Sequence, residues 1–341
     1  MRPWPVRRKF PASDDSTLAT GACMVEASGM VATEQSADMT DRVQAGWIAV
    51  DWGSSRLRAW AMRGDTVLDR AESDAGGGSL ARGDFGPALN ALVADWLGDG
   101  ITDVLACGMV GARQGWVEAP YRAVPCPPLG ADATAVADGD GRLLVRVIPG
   151  LKQASPPDVM RGEETQIAGF LSLNPNWDGV ICLPGTHTKW VQVSAGEVVS
   201  FRTFMTGEIF ALLGRHSVLR HSVGETGWDD AAFAGALGDA MSHPERIAAQ
   251  LFSLRASDLL DGQRPETARA RLSGLLTGAE LAAARPYWLG QQIAVIGDRG
   301  PAQPYVAGLQ AQGVPVTQAD AARATLAGLV AARRLMVEAP R

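Results

Sequence analysis

The sequence predicts an α/β protein of two similar lobes, and three observations predict it. A strand, a small polar turn and a returning strand run over 46–60, and the same architecture recurs over 179–201. Beyond Ile293 the chain alternates strand, glycine turn, helix, strand and helix, the order of a parallel α/β layer. At 341 residues it also exceeds the size that one hydrophobic core usually serves.

In the first unit Ile48 and Val50, flanked by Trp47 and Trp52, suit a strand covered on both faces. Asp51 ends it, and Gly53, Ser54 and Ser55 follow with backbone amides that can wrap an anion. An acidic side chain beside such a turn repels a bare phosphate unless a divalent cation sits between them, so the turn asks for a metal-bound nucleotide. Taken alone, the same letters also describe an ordinary hairpin. Residues 57–62 and 66–71 alternate as two antiparallel strands turning at Gly64-Asp65, and 87–97 carries Leu89, Leu92, Val93 and Trp96 at helical spacing.

Residues 101–107 read as a buried strand running into Gly108, Met109, Val110 and Gly111, with Arg113, Trp116, Glu118 and Tyr121 beyond. Glycines at a strand's carboxyl edge beside a tryptophan, a carboxylate and an arginine supply an apolar platform and charged partners for a polyol. The alternative is a structural loop whose Trp116 plugs the core. A strand over 143–148 and the prolines that follow mark the lobe boundary, giving lobes over 45–150 and 151–337.

The second lobe opens with a helix whose Ile167 and Phe170 share a face. Glu163 and Glu164 stand at its start, where the helix dipole favours negative charge whether or not they do chemistry. A buried strand over 179–183 leads into a turn over 184–189 and two returning strands. There His187 and Lys189 read either as solvated turn residues or as phosphate contacts. The stretch 206–285 is mostly helical with apolar stripes, which are packing surfaces; within it Gly278, in the run Thr277-Gly278-Ala279-Glu280, offers a nucleotide contact. A strand over 293–296 enters a turn at Gly297, a helix starts at Pro301, and Asp320 caps a further helix reaching Leu335.

Hydrophobic residues at 46% and charged residues at 20% describe a globular protein with a large core. With a net charge of −6 there is no global basic field for nucleic acid or an anionic membrane, so an anionic substrate needs local arginines. Cys23, Cys107, Cys126 and Cys182 are scattered and histidines are few, which suggests neither disulfides nor zinc and fits a cytoplasmic protein. No apolar run reaches the ~18 residues of a membrane span. Residues 1–44 lack the apolar core of a signal peptide and read as a disordered extension. Because Met39 lies eight residues before Trp47, translation is expected to begin there; an intact mass that includes 2–38 would refute this.

Five segments carry a resemblance: 48–60; Gly108-Met109-Val110-Gly111 with Gly115-Trp116 and Pro120-Tyr121; Val159-Met160-Arg161-Gly162-Glu163-Glu164-Thr165-Gln166; Pro184-Gly185-Thr186-His187-x-Lys189-Trp190-Val191; and Phe201-Arg202-Thr203-x-Met205-Thr206-Gly207-Glu208. Together, from about residue 46 onward, they resemble the 2-dehydro-3-deoxygalactonokinase family, within the superfamily of actin, the heat-shock chaperone ATPases and the sugar kinases. The resemblance implies two ribonuclease-H-like lobes with an interlobe ATP cleft, and transfer of the ATP γ-phosphoryl group to the 6-hydroxyl of 2-dehydro-3-deoxy-D-galactonate in galactonate catabolism. In order along the chain, Gly162-Glu163 falls where larger carbohydrate kinases carry Gly-Asp with the catalytic aspartate, and Gly185-Thr186-His187 falls on their second phosphate turn. Glutamate replaces aspartate here, and Gly297-Asp298-Arg299-Gly300 departs from the usual glycine-rich adenosine turn.

On that resemblance Asp51 is expected to hold Mg2+. Gly53, Ser54 and Ser55 would take the phosphates from one side and Gly185, Thr186 and Lys189 from the other, with Gly278 and Gly297 at the nucleotide. Glu163 would accept the hydroxyl proton, with Glu164 in reserve. A guanidinium pairs both oxygens of a carboxylate, so Arg56, Arg113 and Arg161 are candidates for the substrate's acid group, and Met109, Trp116 and Glu118 for the sugar. The expected partners are a small sugar acid and ATP; a homodimer is left open. Two other readings stand beside this one: a nucleotide- or sugar-sensing protein of the same fold without catalysis, and a kinase for a related acid such as 2-dehydro-3-deoxygluconate.

Overall fold

A computed structural model of the chain describes residues 6–7 and 43–338. Most of the expected extension over 1–44, with the proposed start at Met39 and Cys23, lies outside the described residues; within it β1 (Val6–Arg7) pairs antiparallel with Ser73 and Glu72 as a short edge strand. At those two residues the extension is paired with the sheet rather than free.

The first lobe begins with the meander β2 (Trp47–Trp52), β3 (Leu57–Arg63) and β4 (Thr66–Ser73). Helix α1 (Phe85–Val93) precedes β5 (Thr102–Gly108), and β6 (Tyr121–Ala123), β7 (Thr134–Ala137) and β8 (Leu143–Val147) follow. The sheet runs β1-β4-β3-β2-β5-β8-β7, with β5 parallel to β2 and β8 parallel to β5. A small sheet of β6, β9 (Gly150–Gln153) and β10 (Asp158–Met160) joins chain on both sides of the expected boundary near residue 150.

The second lobe repeats the plan. After α2 (Glu163–Leu173) come β11 (Gly179–Leu183), β12 (Thr188–Ser194) and β13 (Glu197–Phe204). Helices α3 (Thr206–His216), α4 (Asp230–Ser242), α5 (Ile247–Asp261), α6 (Pro265–Ala283) and α7 (Arg285–Trp288) intervene before β14 (Ile293–Ile296), α8 (Arg299–Ala311), β15 (Val316–Ala319) and α9 (Ala321–Glu338). Its sheet order, β13-β12-β11-β14-β15, matches β4-β3-β2-β5-β8, each an antiparallel meander flanked by two parallel strands. Both lobes are therefore ribonuclease-H-like. Helix α8 starts two residues before Pro301, and Asp320 caps α9 by accepting the Arg323 amide at 2.8 Å.

Helix α1 covers one face of the first sheet, where Phe85 and Leu89 pack with Trp52 and Val104. On the other face Trp47, Ala49, Leu105 and Cys107 pack against Ala168 of α2 and Leu329 and Ala332 of α9. The same two helices cover one face of the second sheet, with Ile167, Phe170 and Ala324 against Ile181 and Val191. The pair crosses closely enough that a Cβ on Gly169 would come within 1.8 Å of the Ala324 carbonyl, and one on Gly328 within 1.9 Å of the Thr165 carbonyl. Glycine on both helices is what lets α2 and α9 sit between the sheets.

Candidate active site

The lobes enclose a cleft of about 880 Å3 lined from both sides. At its floor stands Asp51, the last residue but one of β2, directly opposite Arg58 of β3 in the ladder. Arg58 Nη1 lies 3.4 Å from Asp51 Oδ2, and its Nη2 lies 3.6 Å from Asp298 Oδ2 of the other lobe. Burial pushes the Asp51 carboxyl up; Arg58 opposes this, while the charges of Asp298 and Glu163 add to it. The turn after Asp51 exposes Ser54 and Ser55. It is braced from behind by the Gly77 and Gly78 amides, which donate to the Gly53 and Ser54 carbonyls at 2.9 Å each.

On the opposite wall Gly185, Thr186 and His187 are exposed at the end of β11. The start of α3 holds this turn. The Glu208 amide donates to the Thr186 carbonyl at 2.9 Å, and Gly207 packs so tightly that a Cβ there would lie 2.1 Å from the Gly185 carbonyl. His187 Nε2 lies 2.6 Å from Glu208 Oε2. Lys189 is not a solvated turn residue: it is 6% exposed, with Nζ 2.9 Å from Glu163 Oε1.

Gly162 places the acid. Its φ of +104° belongs to the left-handed region that glycine favours, and it turns the chain sharply into α2. Glu163 then lines the cleft, its Oε2 accepting the Arg161 amide at 3.0 Å. Glu164 points the other way. It is fully buried, accepting the Gly162 amide at 2.7 Å and the Thr165 hydroxyl at 3.0 Å. Burial, reinforced by the Glu163 charge, pushes its carboxyl up to about 7. The reserve position is thus not at the cleft surface, because successive side chains on a helix diverge.

Where the sugar was expected, Arg56, Met109, Arg113 and Glu118 line the cleft, and Arg113 Nε lies 3.3 Å from Glu118 Oε1. Arg161 also reaches the cleft, but its guanidinium is turned into the first lobe. Nη2 donates to the Ala119 carbonyl at 2.7 Å, and the group stacks 4.2 Å above the Tyr121 ring. Two expected residues stand elsewhere. Trp116 packs with Phe85 and Trp52 at centroid distances of 6.4 and 6.3 Å, so it plugs the core. Gly278 lies inside α6, where a Cβ would meet the Leu237 carbonyl of α4 at 2.5 Å, so it serves a helix crossing.

Gly297 lines the cleft as expected. A second cavity of about 830 Å3 adjoins it, sharing Pro184, Gly185, Thr186 and Pro301 and lined further by Phe210, Trp228 and Thr277. Sequence reading missed Arg58 and Asp298, whose signal is the register between two strands rather than a motif, and also missed Trp228.

A family model described as 2-keto-3-deoxy-galactonokinase matches residues 51–332. A relative from Rhizobium meliloti (strain 1021), "Probable 2-dehydro-3-deoxygalactonokinase DgoK1", is 38% identical over 297 residues, spanning 84% of this chain and 96% of that protein. The 2-dehydro-3-deoxygalactonokinase of Escherichia coli (strain K12) is 37% identical over 290 residues, with the same coverage of 84% and 96%. Among solved structures, a Sinorhizobium meliloti protein provisionally designated a 2-dehydro-3-deoxygalactonokinase superposes with a TM-score of 0.80 at 38% identity, covering 86% of this chain and 98% of that one.

Proposed function

The chain belongs to the 2-keto-3-deoxy-galactonokinase family, and on that footing we propose that its cleft transfers the γ-phosphoryl group of ATP to the 6-hydroxyl of 2-dehydro-3-deoxy-D-galactonate, a step of galactonate catabolism in the cytoplasm. The observation that carries this reading is one of convergence. Asp51, the turn at Gly185-Thr186 and Glu163 line a single cleft.

Phosphoryl transfer asks a protein mainly to align nucleophile and phosphate and to balance charge. In this reading the amides and hydroxyls at Gly53, Ser54 and Ser55 hold the terminal phosphates from one lobe, and Gly185 and Thr186 hold them from the other. The adjoining cavity takes the nucleoside, with Trp228 beside it. Glu163, fixed by the Arg161 amide and Lys189, accepts the hydroxyl proton as the bond to phosphorus forms. The exposed Arg113 and Arg56 are the guanidinium groups with room to meet the substrate's carboxylate, while Arg161 backs Tyr121.

Magnesium fits the donor set. Asp51 and Asp298 bring carboxylates from the two lobes toward one cation, the Arg58 guanidinium. Among the described residues no group of three or more His, Cys, Asp or Glu side chains could hold a metal ion. An ion would therefore rest on phosphate oxygens and Asp51 together, as Mg2+ commonly does. Bound there, it would neutralise the charge that develops on the phosphates.

Coupled ADP release with a panel of keto-deoxy sugar acids tests the proposal. Turnover with the galacto acid well above that with the gluco acid is expected. A preference for the gluco acid would move the substrate, and acid-independent ADP release would remove the kinase assignment.

A further inference from the structure

Glu280 is 3% exposed, stands on α6 away from both lobes' reacting groups, and has no part in the chemistry described above. Its two oxygens are nevertheless fully engaged. Trp190 Nε1 donates to Oε1 at 2.8 Å and the Tyr305 hydroxyl donates to Oε2 at 2.7 Å, and the Thr206 side chain stands near enough to help hold the carboxylate's charge. Tyr305 gives its only proton to Glu280, so the Thr188 hydroxyl, 2.8 Å away, must donate to the Tyr305 oxygen.

These contacts are not scattered through the lobe. Thr188 and Trp190 belong to the first residues of β12, immediately after the turn over 184–187, and Thr188 sits between His187 and Lys189. Thr206 opens α3, whose next two residues brace that turn from outside through Gly207 and the Glu208 amide. One buried carboxylate thus ties together the strand that leaves the turn and the helix that supports it.

We infer that Glu280 is a positioning residue, holding the turn at Gly185-Thr186 in the geometry that receives the nucleotide phosphates through the Tyr305–Thr188 hydrogen bond on one side and Thr206 on the other. The inference rests on the reading that ATP phosphates sit at this turn. Glutamine is a demanding probe. Its amide oxygen can take the Trp190 N–H, but its NH2 then faces the Tyr305 oxygen, so the tyrosine must turn its proton toward Thr188 and the direction of the chain reverses. Thr188→Val leaves the bonds at Glu280 in place and cuts only the link to the turn.

The test compares Glu280→Gln, Thr188→Val and Thr186→Asp by steady-state kinetics, with thermal unfolding run alongside. Loss of one buried hydrogen bond predicts that Glu280→Gln and Thr188→Val each raise the KM for ATP about five- to tenfold, while the KM for the sugar acid stays within about twofold. A merely structural role would lower Tm and leave both KM values unmoved. That result, obtained while Thr186→Asp does raise the KM for ATP, overturns the inference. A Thr186→Asp enzyme with an unchanged KM for ATP takes the phosphates away from the turn, and both reading and inference fall. Should Glu280→Gln not fold, Thr188→Val decides.

Discussion

Lys189 Nζ lies 2.9 Å from Glu163 Oε1 and 3.3 Å from the His187 carbonyl, so one ammonium group touches both the candidate base and the phosphate-side turn. The pair holds Glu163 in place, and in the proposed reaction it sets a positive charge beside the turn that would receive the phosphates. Lys189→Met removes both services. Breaking such a pair strands the other charge, and here Glu163 keeps some access to water, so a loss of roughly 1–3 kcal/mol is expected. A thermal-shift cycle checks the coupling: Glu163→Gln in the Lys189→Met background should recover part of the lost Tm, and purely additive losses would mean the two groups do not interact.

Removing Glu163, the proposed base, should be far more damaging than removing its neighbour. Glu163→Gln is expected to lower turnover by about 10²–10⁴ with ATP binding retained. Glu164→Gln, altered on the buried side of α2, should cost less than about tenfold. The reverse ranking in kcat would exchange the two roles.

Glu164 makes a prediction about pH and stability. Its folded carboxyl holds a proton up to about 7, whereas an unfolded glutamate releases it near 4.5. Between those values the folded chain binds more protons, so this contribution is present in full below 4.5 and is lost as pH rises through 7. Its size is on the order of 3 kcal/mol. Asp51 and Glu280, also raised by burial, act equally in the wild type and in Glu164→Gln, so the difference between their urea-unfolding curves isolates Glu164. That difference should change steadily between about pH 5 and pH 8, and parallel curves would refute it.

Asp51→Asn tests the cation. With the half-buried carboxylate gone, the Mg2+ concentration for half-maximal turnover should rise about tenfold or more, while metal-free ATP binding is unchanged or tighter because a negative charge has left. An unaltered Mg2+ titration would place the ion elsewhere.

Packing between α2 and α9 can be probed without touching the cleft surface. Gly328→Ala puts a methyl 1.9 Å from the Thr165 carbonyl and should destabilise by about 1–3 kcal/mol. Gly235→Ala, on α4 with open space around its Cβ, should instead stabilise by about 0.4–1 kcal/mol. Opposite shifts in Tm are the expected outcome.

The fold was legible because its signals are local. Alternation over 57–71 and the glycine turn after Ile296 each follow from side-chain period and turn chemistry, and the repeated strand–turn–strand unit revealed two lobes. Glu163 and the turns after Asp51 and Pro184 were legible as motifs, and all three line one cleft. What escaped depends on long-range register: Arg58 meets Asp51 through a ladder and Asp298 across the cleft. Trp116 and Gly278 misled because a tryptophan beside a glycine loop, or a glycine near Thr277, carries the same letters whether it faces ligand or packs in a core. Glu163 and Glu164 are neighbours in sequence, and only the turn at Gly162 decides which of them faces the cleft.

The position of α9 bears on how the protein is made. The rear surface of the first sheet, with Trp47, Ala49 and Leu105, finds its cover in Leu329 and Ala332, which are translated long after those strands. A growing chain therefore leaves part of that apolar face uncovered until α9 has been made, so the first lobe completes its packing only with helices from the second.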